Sequence, residues 1–169
     1  MKLKIKILEL TRGCFPVIRE DGDWIDLRAA EDMILEAPSV LNSKGKTSIA
    51  FNTAYIPLGI AMQLPEGFEA IIAPRSSTCR KFNILQTNSI GVVDNGYCGP
   101  NDQWCFPAIA KNRATIKKGD RICQFRIQLS QKATVWQKLK WLFCSGVKLI
   151  KVRELKNPNR QGFGHSGVK

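Results

Sequence analysis

The sequence is poor in the side chains that build a zinc site. It contains one histidine among 169 residues, and none of its six cysteines forms a C-x-x-C pair. A Cys/His zinc site needs four such ligands, usually at short spacings, so the sequence argues against this class of site. We predict reduced, buried thiols in a cytoplasmic protein for Cys14, Cys79, Cys98, Cys105, Cys123 and Cys144.

Long hydrophobic runs are also missing. No stretch approaches the roughly 18 apolar residues of a membrane span. The first ten residues have neither the apolar centre nor the small-residue cleavage site of a signal peptide. With 169 residues, of which 44% are apolar and 24% charged, the chain is typical of one soluble globular domain.

Acidic side chains are scarce in the last third of the chain. Residues 1–110 carry 11 basic and 12 acidic side chains, whereas residues 111–169 carry 15 and 2. The net charge of +12 therefore originates in the last third. Such an excess first suggests a polyanionic partner, such as nucleic acid or a membrane surface.

Short apolar runs separated by turn residues fill the chain up to about residue 130. In the first ten residues Leu3, Ile5 and Ile7 alternate with lysines, as in a strand with one buried face. Closely spaced runs of this kind predict an all-β sandwich or barrel. The later runs include 60–64, 68–73, 84–93, 105–110 and 121–129.

One segment, 134–145, departs from this pattern and predicts a short helix. Trp136, Leu139, Leu142 and Phe143 recur at helical spacing, with lysines between them. We expect this apolar face to pack on the chain's own domain. The alternative is a basic, tryptophan-bearing helix that lies on a membrane surface or a partner.

The end of the chain differs again in composition. From Asn157 onward it is rich in Gly, Asn and Pro and is not expected to hold regular structure alone. We predict a single β domain over residues 1–156, with a helical insertion at 134–148. The flexible tail, 157–169, is expected to be disordered or to be ordered by what it binds.

Three segments concentrate side chains suited to a phosphorylated, aromatic ligand. Residues 73–78 combine an arginine with three hydroxyls, which favours anion binding. Residues 88–99 place an aspartate and a tyrosine around an Asn-Gly dipeptide, which is typical of a hairpin turn. Residues 160–167 set Phe163 among glycines that let backbone amides approach a phosphate. Each segment alone is equally typical of a surface turn or an unstructured end.

The order of these segments resembles the five motifs of the trimeric dUTP diphosphatases (dUTPases). The resemblance extends from about residue 21 to residue 167. It implies a jelly-roll or distorted β-barrel fold, a homotrimer and hydrolysis of dUTP to dUMP and pyrophosphate. That reaction clears dUTP from the nucleotide pool and supplies the precursor of dTTP. The five matching segments are 26–32, 74–77, 88–99, 119–124 and 160–167.

The resemblance also implies roles for individual residues. Asp94 matches the general base that activates a water for attack on the α-phosphorus. Tyr97 matches the ring beneath the deoxyribose, and Phe163 matches the aromatic lid over uracil. The residues that match the uracil-reading hairpin are Asn88, Gly91, Val92, Val93 and Asp94.

The remaining implied roles concern phosphates and metal. Asp26 matches a carboxylate that supports Mg²⁺ through water, and the triphosphate supplies the other metal contacts. The implied polyanion is thus a triphosphate with Mg²⁺, and no stable nucleic-acid or membrane partner is expected. The implied phosphate contacts are Arg75, Ser76, Ser77, Gln124, Arg160, Gly162, Gly164 and Ser166.

Two alternatives share the expected fold. The dCTP deaminases resemble this chain but use a Glu shortly after the hairpin, and here no Glu occurs between Glu69 and Glu154. A non-catalytic basic binding or regulatory module is the second alternative. The intact Asp94 argues against it, as does the lack of aromatic residues interleaved with the basic ones.

Overall fold

The computed structural model describes residues 1–162, so the predictions for Phe163, Gly164 and Ser166 lie outside the described residues. Strands dominate this range, which confirms the expected all-β class. The two helices are α1 (Thr78–Phe82) and α2 (Val135–Leu142). The strands are β1 (Leu3–Glu9), β2 (Ile25–Arg28), β3 (Met33–Leu35), β4 (Ser39–Ser43), β5 (Lys46–Ala50), β6 (Ala54–Pro57), β7 (Ile60–Gln63), β8 (Phe68–Pro74), β9 (Ile84–Gln86), β10 (Gly91–Val93), β11 (Cys105–Ala110), β12 (Ala114–Ile116), β13 (Arg121–Leu129) and β14 (Val147–Val152).

These strands form small sheets in the jelly-roll arrangement that the resemblance implies. The sheet with the order β10-β8-β13-β2 carries the candidate site residues Asp26, Gly91, Val92, Val93 and Gln124, and Arg75 and Asp94 directly follow two of its strands. Its centre is the antiparallel pair of β8 and β13, whose register runs from Phe68 opposite Leu129 to Pro74 opposite Cys123. The other sheets of the described chain have the orders β14-β1-β7, β6-β11-β9, β12-β3 and β4-β5.

The core follows from the alternation of side chains along the strands. Successive side chains of a strand point to opposite faces, so every second residue of β1 and β8 is buried. Aromatic residues fill the space between the sheets, and the rings of Trp104 and Phe125 meet edge to face with centroids 5.4 Å apart. This core fixes the sheet edges on which the candidate site lies.

The hairpin of β4 and β5 was not anticipated from the sequence. Lys44 and Gly45 form its two-residue turn with φ angles of 49° and 74°. Positive φ at both central residues is the backbone of a type I′ turn, for which a Gly at the second position is favoured. The sequence signal was therefore the Lys44-Gly45 pair, although both strands are almost entirely exposed and carry little hydrophobic alternation.

The Asn-Gly dipeptide at 95–96 does not make the hairpin that its composition favours. Asn95 and Gly96 both lack positive φ angles, and the residues that follow them form a loop. The Asn95 amide instead donates hydrogen bonds to the carbonyls of Pro65 (2.7 Å) and Phe68 (3.3 Å). These long-range bonds replace the local hairpin, and β10 pairs with β8.

Helix α2 lies where the sequence predicts it, but it uses a different face. Thr134 caps it in a reciprocal capping box with Gln137. The predicted apolar face is exposed, with Trp136 at 80% and Phe143 at 74%. The residue that packs inward is Trp141, whose ring lies 5.3 Å from that of Phe68. The expectation that the Trp136 face contacts the chain's own domain is therefore wrong.

All six cysteines are free, as predicted, but only Cys14, Cys98 and Cys123 are buried. Cys79, Cys105 and Cys144 are half-buried, so the expectation of burial is wrong for these three. Burial raises the pKa of the Cys14 and Cys123 thiols and raises that of Cys105 to about 11. These thiols stay protonated at neutral pH and are poor nucleophiles. Neither helix of residues 1–162 has the length and apolar character needed to cross a membrane.

Candidate active site

One group of predicted site residues lies where β2, β8 and β13 end side by side. Gln124 of β13 stands opposite Asp26 of β2 on one side and Ala73 of β8 on the other. Arg75 follows the last residue of β8, and Arg121 begins β13. Strand register alone therefore brings together residues that are up to 98 positions apart, as Asp26 and Gln124 are.

Asp26 holds two arginines in this group. One carboxylate oxygen lies 2.7 Å from Nε of Arg75, and the other accepts a 2.9 Å hydrogen bond from Nη1 of Arg121. The Asp26 side chain is only 13% exposed, so both ion pairs are shielded from water. Shielded, hydrogen-bonded ion pairs are stronger and more ordered than surface pairs, and these fix both guanidinium groups in place.

Thr78, one of the three hydroxyls of segment 73–78, supports the same group, although the sequence analysis assigns it no role of its own. This residue is fully buried at the start of α1. Its hydroxyl donates to the carbonyl of Ile122 (2.7 Å) and accepts from the backbone N–H of Arg75 (2.9 Å). It thereby ties the end of β8 to β13. The exposed Ser76 and the half-buried Ser77 are presented beside Arg75 by this turn.

Asp26, Arg75, Arg121 and Gln124 line a cavity of about 400 Å³ that we call the basic pocket, whereas Ser76, Ser77 and Thr78 are not part of its lining. The lining combines three guanidinium groups and one amide side chain with three aspartates. That donor set is suited to bind an anion with several oxygen atoms. The basic pocket is lined by Arg19, Asp21, Gly22, Asp23, Trp24, Asp26, Arg75, Arg121 and Gln124.

A second cavity, of about 390 Å³, contains the other predicted residues, and we call it the hairpin pocket. One wall is β10, an edge strand that is paired only with β8 in the described chain. The polar backbone groups on its other edge are thus available to a ligand. Residues that were not predicted, Trp104 and Pro107 among them, complete this pocket. The predicted residues in its lining are Asn88, Gly91, Val92, Val93, Asp94, Tyr97, Arg160 and Gly162.

Asn88 and Gly91 have a defined environment in the hairpin pocket. The Asn88 side-chain oxygen accepts a 2.8 Å hydrogen bond from the amide of Gln86, which leaves the Asn88 amide as a donor. Gly91 lies against Ile72 so closely that an added Cβ would be 3.1 Å from the isoleucine Cβ. A glycine at this position lets β10 approach β8 and keeps the wall of the pocket flat.

Tyr97 lies in the wall of the hairpin pocket with its hydroxyl turned away. The hydroxyl donates to the carbonyl of Gln103 at 2.9 Å. Burial, assisted by nearby Cys105 and Asp102, raises the Tyr97 pKa to about 12. The ring is therefore neutral at physiological pH and offers an uncharged face to a ligand.

The start of the tail closes the side of the hairpin pocket. Arg160 makes an ion pair with Asp94, whose side chain is 55% exposed. Gly162 lies against the Tyr97 ring, where an added Cβ would be 3.0 Å from Cε2. The family resemblance implies a tail that covers a pocket formed by other subunits. Residues 157–162 of this chain contact their own chain.

The structure does not unite the two pockets within one chain. Among residues 1–162, none lines both pockets. Val93, which precedes Asp94, stands opposite Ala70, and Arg75 lies five residues further along β8. Asp94 continues this antiparallel register by one more residue and is thus six residues from Arg75, so at about 3.3 Å per residue the two backbone positions are about 20 Å apart along the strand. One chain thus presents two separate parts of a site.

Residues 1–162 contain no cluster of three or more His, Cys, Asp or Glu side chains able to hold a metal ion. Asp26, the predicted metal support, is bound to two arginines instead of a second carboxylate. Magnesium usually keeps several waters and binds through one or two carboxylates and substrate phosphates. The donors present therefore suit a metal ion whose principal ligands come from a triphosphate.

Comparison with known proteins gives a consistent result. A family model described as dUTPase matches residues 25–139. The chain is 44% identical, over the full length of both proteins, to the SPbeta prophage-derived deoxyuridine 5'-triphosphate nucleotidohydrolase YosS of Bacillus subtilis (strain 168).

Solved structures agree in fold. A dUTPase from Streptococcus mutans has a TM-score of 0.59 and 20% identity, covering 72% of this chain and 90% of that one. A mutant dUTPase from phage phi11 of S. aureus, described with a structural Mg(II) ion, has a TM-score of 0.58 and 17% identity, covering 78% and 94%. The family match, the full-length relative and the shared fold lead to one conclusion: this chain belongs to the dUTPase family of enzymes.

Proposed function

We propose that this dUTPase hydrolyses dUTP to dUMP and pyrophosphate with Asp94 as the general base. The proposal rests on the position of Asp94. Its exposed carboxylate lines the hairpin pocket and directly follows β10, the edge strand that forms one wall of that pocket. Asp94 takes a proton from water, and the water oxygen forms a bond to the α-phosphorus. The bond from that phosphorus to the α,β-bridging oxygen breaks, and pyrophosphate leaves.

Selectivity for a deoxyuridine follows from the walls of the hairpin pocket. The free edge of β10 offers backbone donors and acceptors to the edge of a uracil, and the amide of Asn88 adds a donor. In this proposal the main chain of β10 imitates a pairing base and leaves no room for a thymine methyl. The neutral ring of Tyr97 packs against the sugar and excludes a ribose 2′-hydroxyl.

The basic pocket supplies the charge stabilisation that the reaction needs. Arg75 and Gln124, which line the basic pocket, contact phosphate oxygens. Ser76 and Ser77 follow Arg75 in the chain and lie outside the lining of the basic pocket, and we propose that they reach the phosphates from the turn. Asp26 positions Arg75 and Arg121 through its two ion pairs. Donors that are fixed before the substrate binds need no reorganisation as charge develops on the phosphoryl oxygens. In the tail, Arg160 and Gly162 adjoin the triphosphate, and Gly164, Ser166 and the Phe163 lid are proposed to continue this contact.

Magnesium fits this site as an ion carried by the substrate. It neutralises charge on the triphosphate when it is bound. Asp26 is the carboxylate of the basic pocket that would support it through water. The protein's own groups bind the base and sugar, hold the phosphates and take the proton from water.

In this proposal a second copy of the chain completes the site. About 20 Å of strand separates Asp94 from Arg75, and no residue of 1–162 lines both pockets, which favours a substrate bound between two chains. We propose a homotrimer in which the hairpin pocket of one subunit meets the basic pocket of another. The catalytic domain then comprises residues 1–156, and residues 157–169 form the closing tail of a cytoplasmic enzyme.

The direct test is a nucleotide panel. Purified protein is incubated with dUTP, dCTP, dTTP and UTP in the presence of Mg²⁺, and the products are identified by chromatography. We expect dUMP and pyrophosphate from dUTP alone. Ammonia from dCTP would reassign the reaction to a deaminase, and no turnover of any of the four would indicate a binding module.

A further inference from the structure

One glutamine beside the hairpin pocket has no role in the proposed chemistry. Gln86 is the last residue of β9, is half-buried and does not belong to the lining of the hairpin pocket. It stands opposite Ala108 of β11, so its strand belongs to a different sheet from β10. The N–H of the next residue, Thr87, donates to the carbonyl of Pro107 at 3.0 Å. The backbone that carries the Gln86 side chain is therefore held on both sides.

The side-chain nitrogen of Gln86 uses both of its hydrogens. It donates to the backbone carbonyl of Ile72 at 3.3 Å and to the side-chain oxygen of Asn88 at 2.8 Å. Ile72 belongs to β8, the strand that pairs with β10. A Cβ added to Gly91 would lie 3.4 Å from the same nitrogen. The Gln86 side chain thus reaches from its own sheet to the wall of the hairpin pocket.

The Ile72 carbonyl determines which way two side-chain amides face. A backbone carbonyl only accepts hydrogen bonds, so the Gln86 atom beside it must be the nitrogen. Because this nitrogen also contacts the Asn88 side chain, the Asn88 atom in that contact must be the oxygen. Turning either amide by 180° would set two acceptors or two donors against each other. The other end of the Asn88 amide is therefore a donor.

This orientation has a cost in stability. The buried side-chain oxygen of Gln86 accepts no hydrogen bond within residues 1–162. A buried acceptor without a partner destabilises the folded state. Stability alone therefore does not account for this glutamine, whereas its effect on Asn88 does.

We propose that Gln86 is a positioning residue, which holds the Asn88 amide as a donor and thereby sets the preference for uracil over cytosine. The inference rests on the proposed function, in which the Asn88 amide donates to the edge of uracil. Position 4 of uracil carries a carbonyl acceptor, as in thymine, whereas position 4 of cytosine carries an amino donor. A fixed donor pairs with the carbonyl and opposes the amino group, which penalises cytosine. Gln86 acts through Asn88 and does not contact the substrate itself.

Two variants separate orientation from packing. Gln86→Met keeps the length of the side chain but removes both hydrogen bonds, so the Asn88 amide is free to turn. The carboxylate of Gln86→Glu only accepts hydrogen bonds, so it takes the Asn88 nitrogen as its donor and turns the Asn88 oxygen towards the pocket. Gln128→Met is the matched control, because the Gln128 amide donates to Glu69 in an exposed cross-strand pair.

The main measurement is the dissociation constant of dCMP divided by that of dUMP, both obtained by isothermal titration. This ratio should fall at least about 10-fold in Gln86→Met and further in Gln86→Glu, and it should keep its wild-type value in Gln128→Met. In steady-state assays with dUTP, the Gln86 variants should raise KM more than they lower kcat, because Asp94 is unchanged.

Each contrary outcome has a distinct meaning. An unchanged ratio in both Gln86 variants would overturn the positioning role, as would a wild type that binds dCMP as tightly as dUMP. An equal fall in Gln128→Met would show a general loss of structure and would also overturn it. A wild type that prefers dUMP but hydrolyses no dUTP would contradict the proposed function, and the titrations would still test Gln86.

Nuclear magnetic resonance of the wild-type protein provides a test that needs no variant. Both side-chain amide protons of Gln86 should exchange with solvent at least about 10-fold more slowly than those of free glutamine, because both are donated within the fold. Unprotected protons would overturn the inference even if neither variant folds.

Discussion

Asp94 and Arg160 face each other at the edge of the hairpin pocket, so the proposed base and a phosphate-binding cation share one small region. If Arg160 binds the triphosphate as proposed, the anion competes with Asp94 for the guanidinium, and the carboxylate becomes free to accept a proton. We predict that Asp94→Asn lowers kcat for dUTP by at least about 100-fold, because the amide cannot act as a base. Steady-state kinetics measures this loss.

The affinity of the same variant provides the control. The amide is nearly isosteric, and the other walls of the hairpin pocket are unchanged, so dUTP should bind Asp94→Asn within a few-fold of the wild-type affinity. Isothermal titration with a non-hydrolysable analogue measures this. A variant with wild-type turnover would remove Asp94 from the role of base.

The raised pKa of Tyr97 predicts that the free energy of unfolding depends on pH in the alkaline range. Its pKa in the folded protein is raised to about 12, mainly by burial, whereas an unfolded tyrosine titrates near 10. Between these values the unfolded chain releases this proton and the folded chain retains it. The Tyr97 contribution is therefore fully present below pH 10, and the free energy of unfolding should fall as pH rises from about 10 towards 12.

Tyr97→Phe isolates this effect, since the lysines and the other tyrosine titrate in both proteins. Denaturant unfolding at a series of pH values should show a steeper decline for the wild type than for the variant. Parallel pH curves would mean that Tyr97 ionises normally in the folded protein.

At the scale of single elements, helix α2 combines one anchoring tryptophan with one exposed tryptophan. We predict that Trp141→Ala lowers the free energy of unfolding by about 2–4 kcal/mol, because its ring packs on Phe68 and the core behind it. Trp136→Ala should change it by less than about 0.5 kcal/mol, because 80% of that residue is exposed. Urea unfolding of the two matched variants compares these values, and an equal loss would show that the Trp136 face is covered in solution.

Several elements were predictable because their signal is local. The bounds of β11 and β13 match the predicted runs 105–110 and 121–129. Both runs are rich in apolar residues and are bounded by turn residues. Thr134 and Gln137 supply a local signal for the start of α2. The face of α2 that packs inward was not predictable in this way, since Trp136 and Trp141 are equally apolar. The position of Phe68 decides between them.

At the scale of the whole molecule, the two pockets predict complementation between inactive variants. Asp94→Asn and Arg75→Ala each remove a different part of the site. If a site takes Asp94 from one subunit and Arg75 from another, mixed oligomers of the two variants regain about a quarter of the wild-type activity. Co-refolding of equal amounts, followed by a dUTP assay, measures this recovery. Mixtures no more active than the separate variants would contradict the shared site.

The sequence by itself determined the fold class, the family and the identity of most candidate residues. Alternating strands and turn residues are local properties, and the five motifs occur in order along the chain. Only the tertiary structure decided which residues meet. It separated Asp94 from Arg75, bound Asp26 to two arginines and set Gln86 between Ile72 and Asn88. Such contacts depend on strand register and on loops that meet across long sequence separations, and no local pattern encodes either.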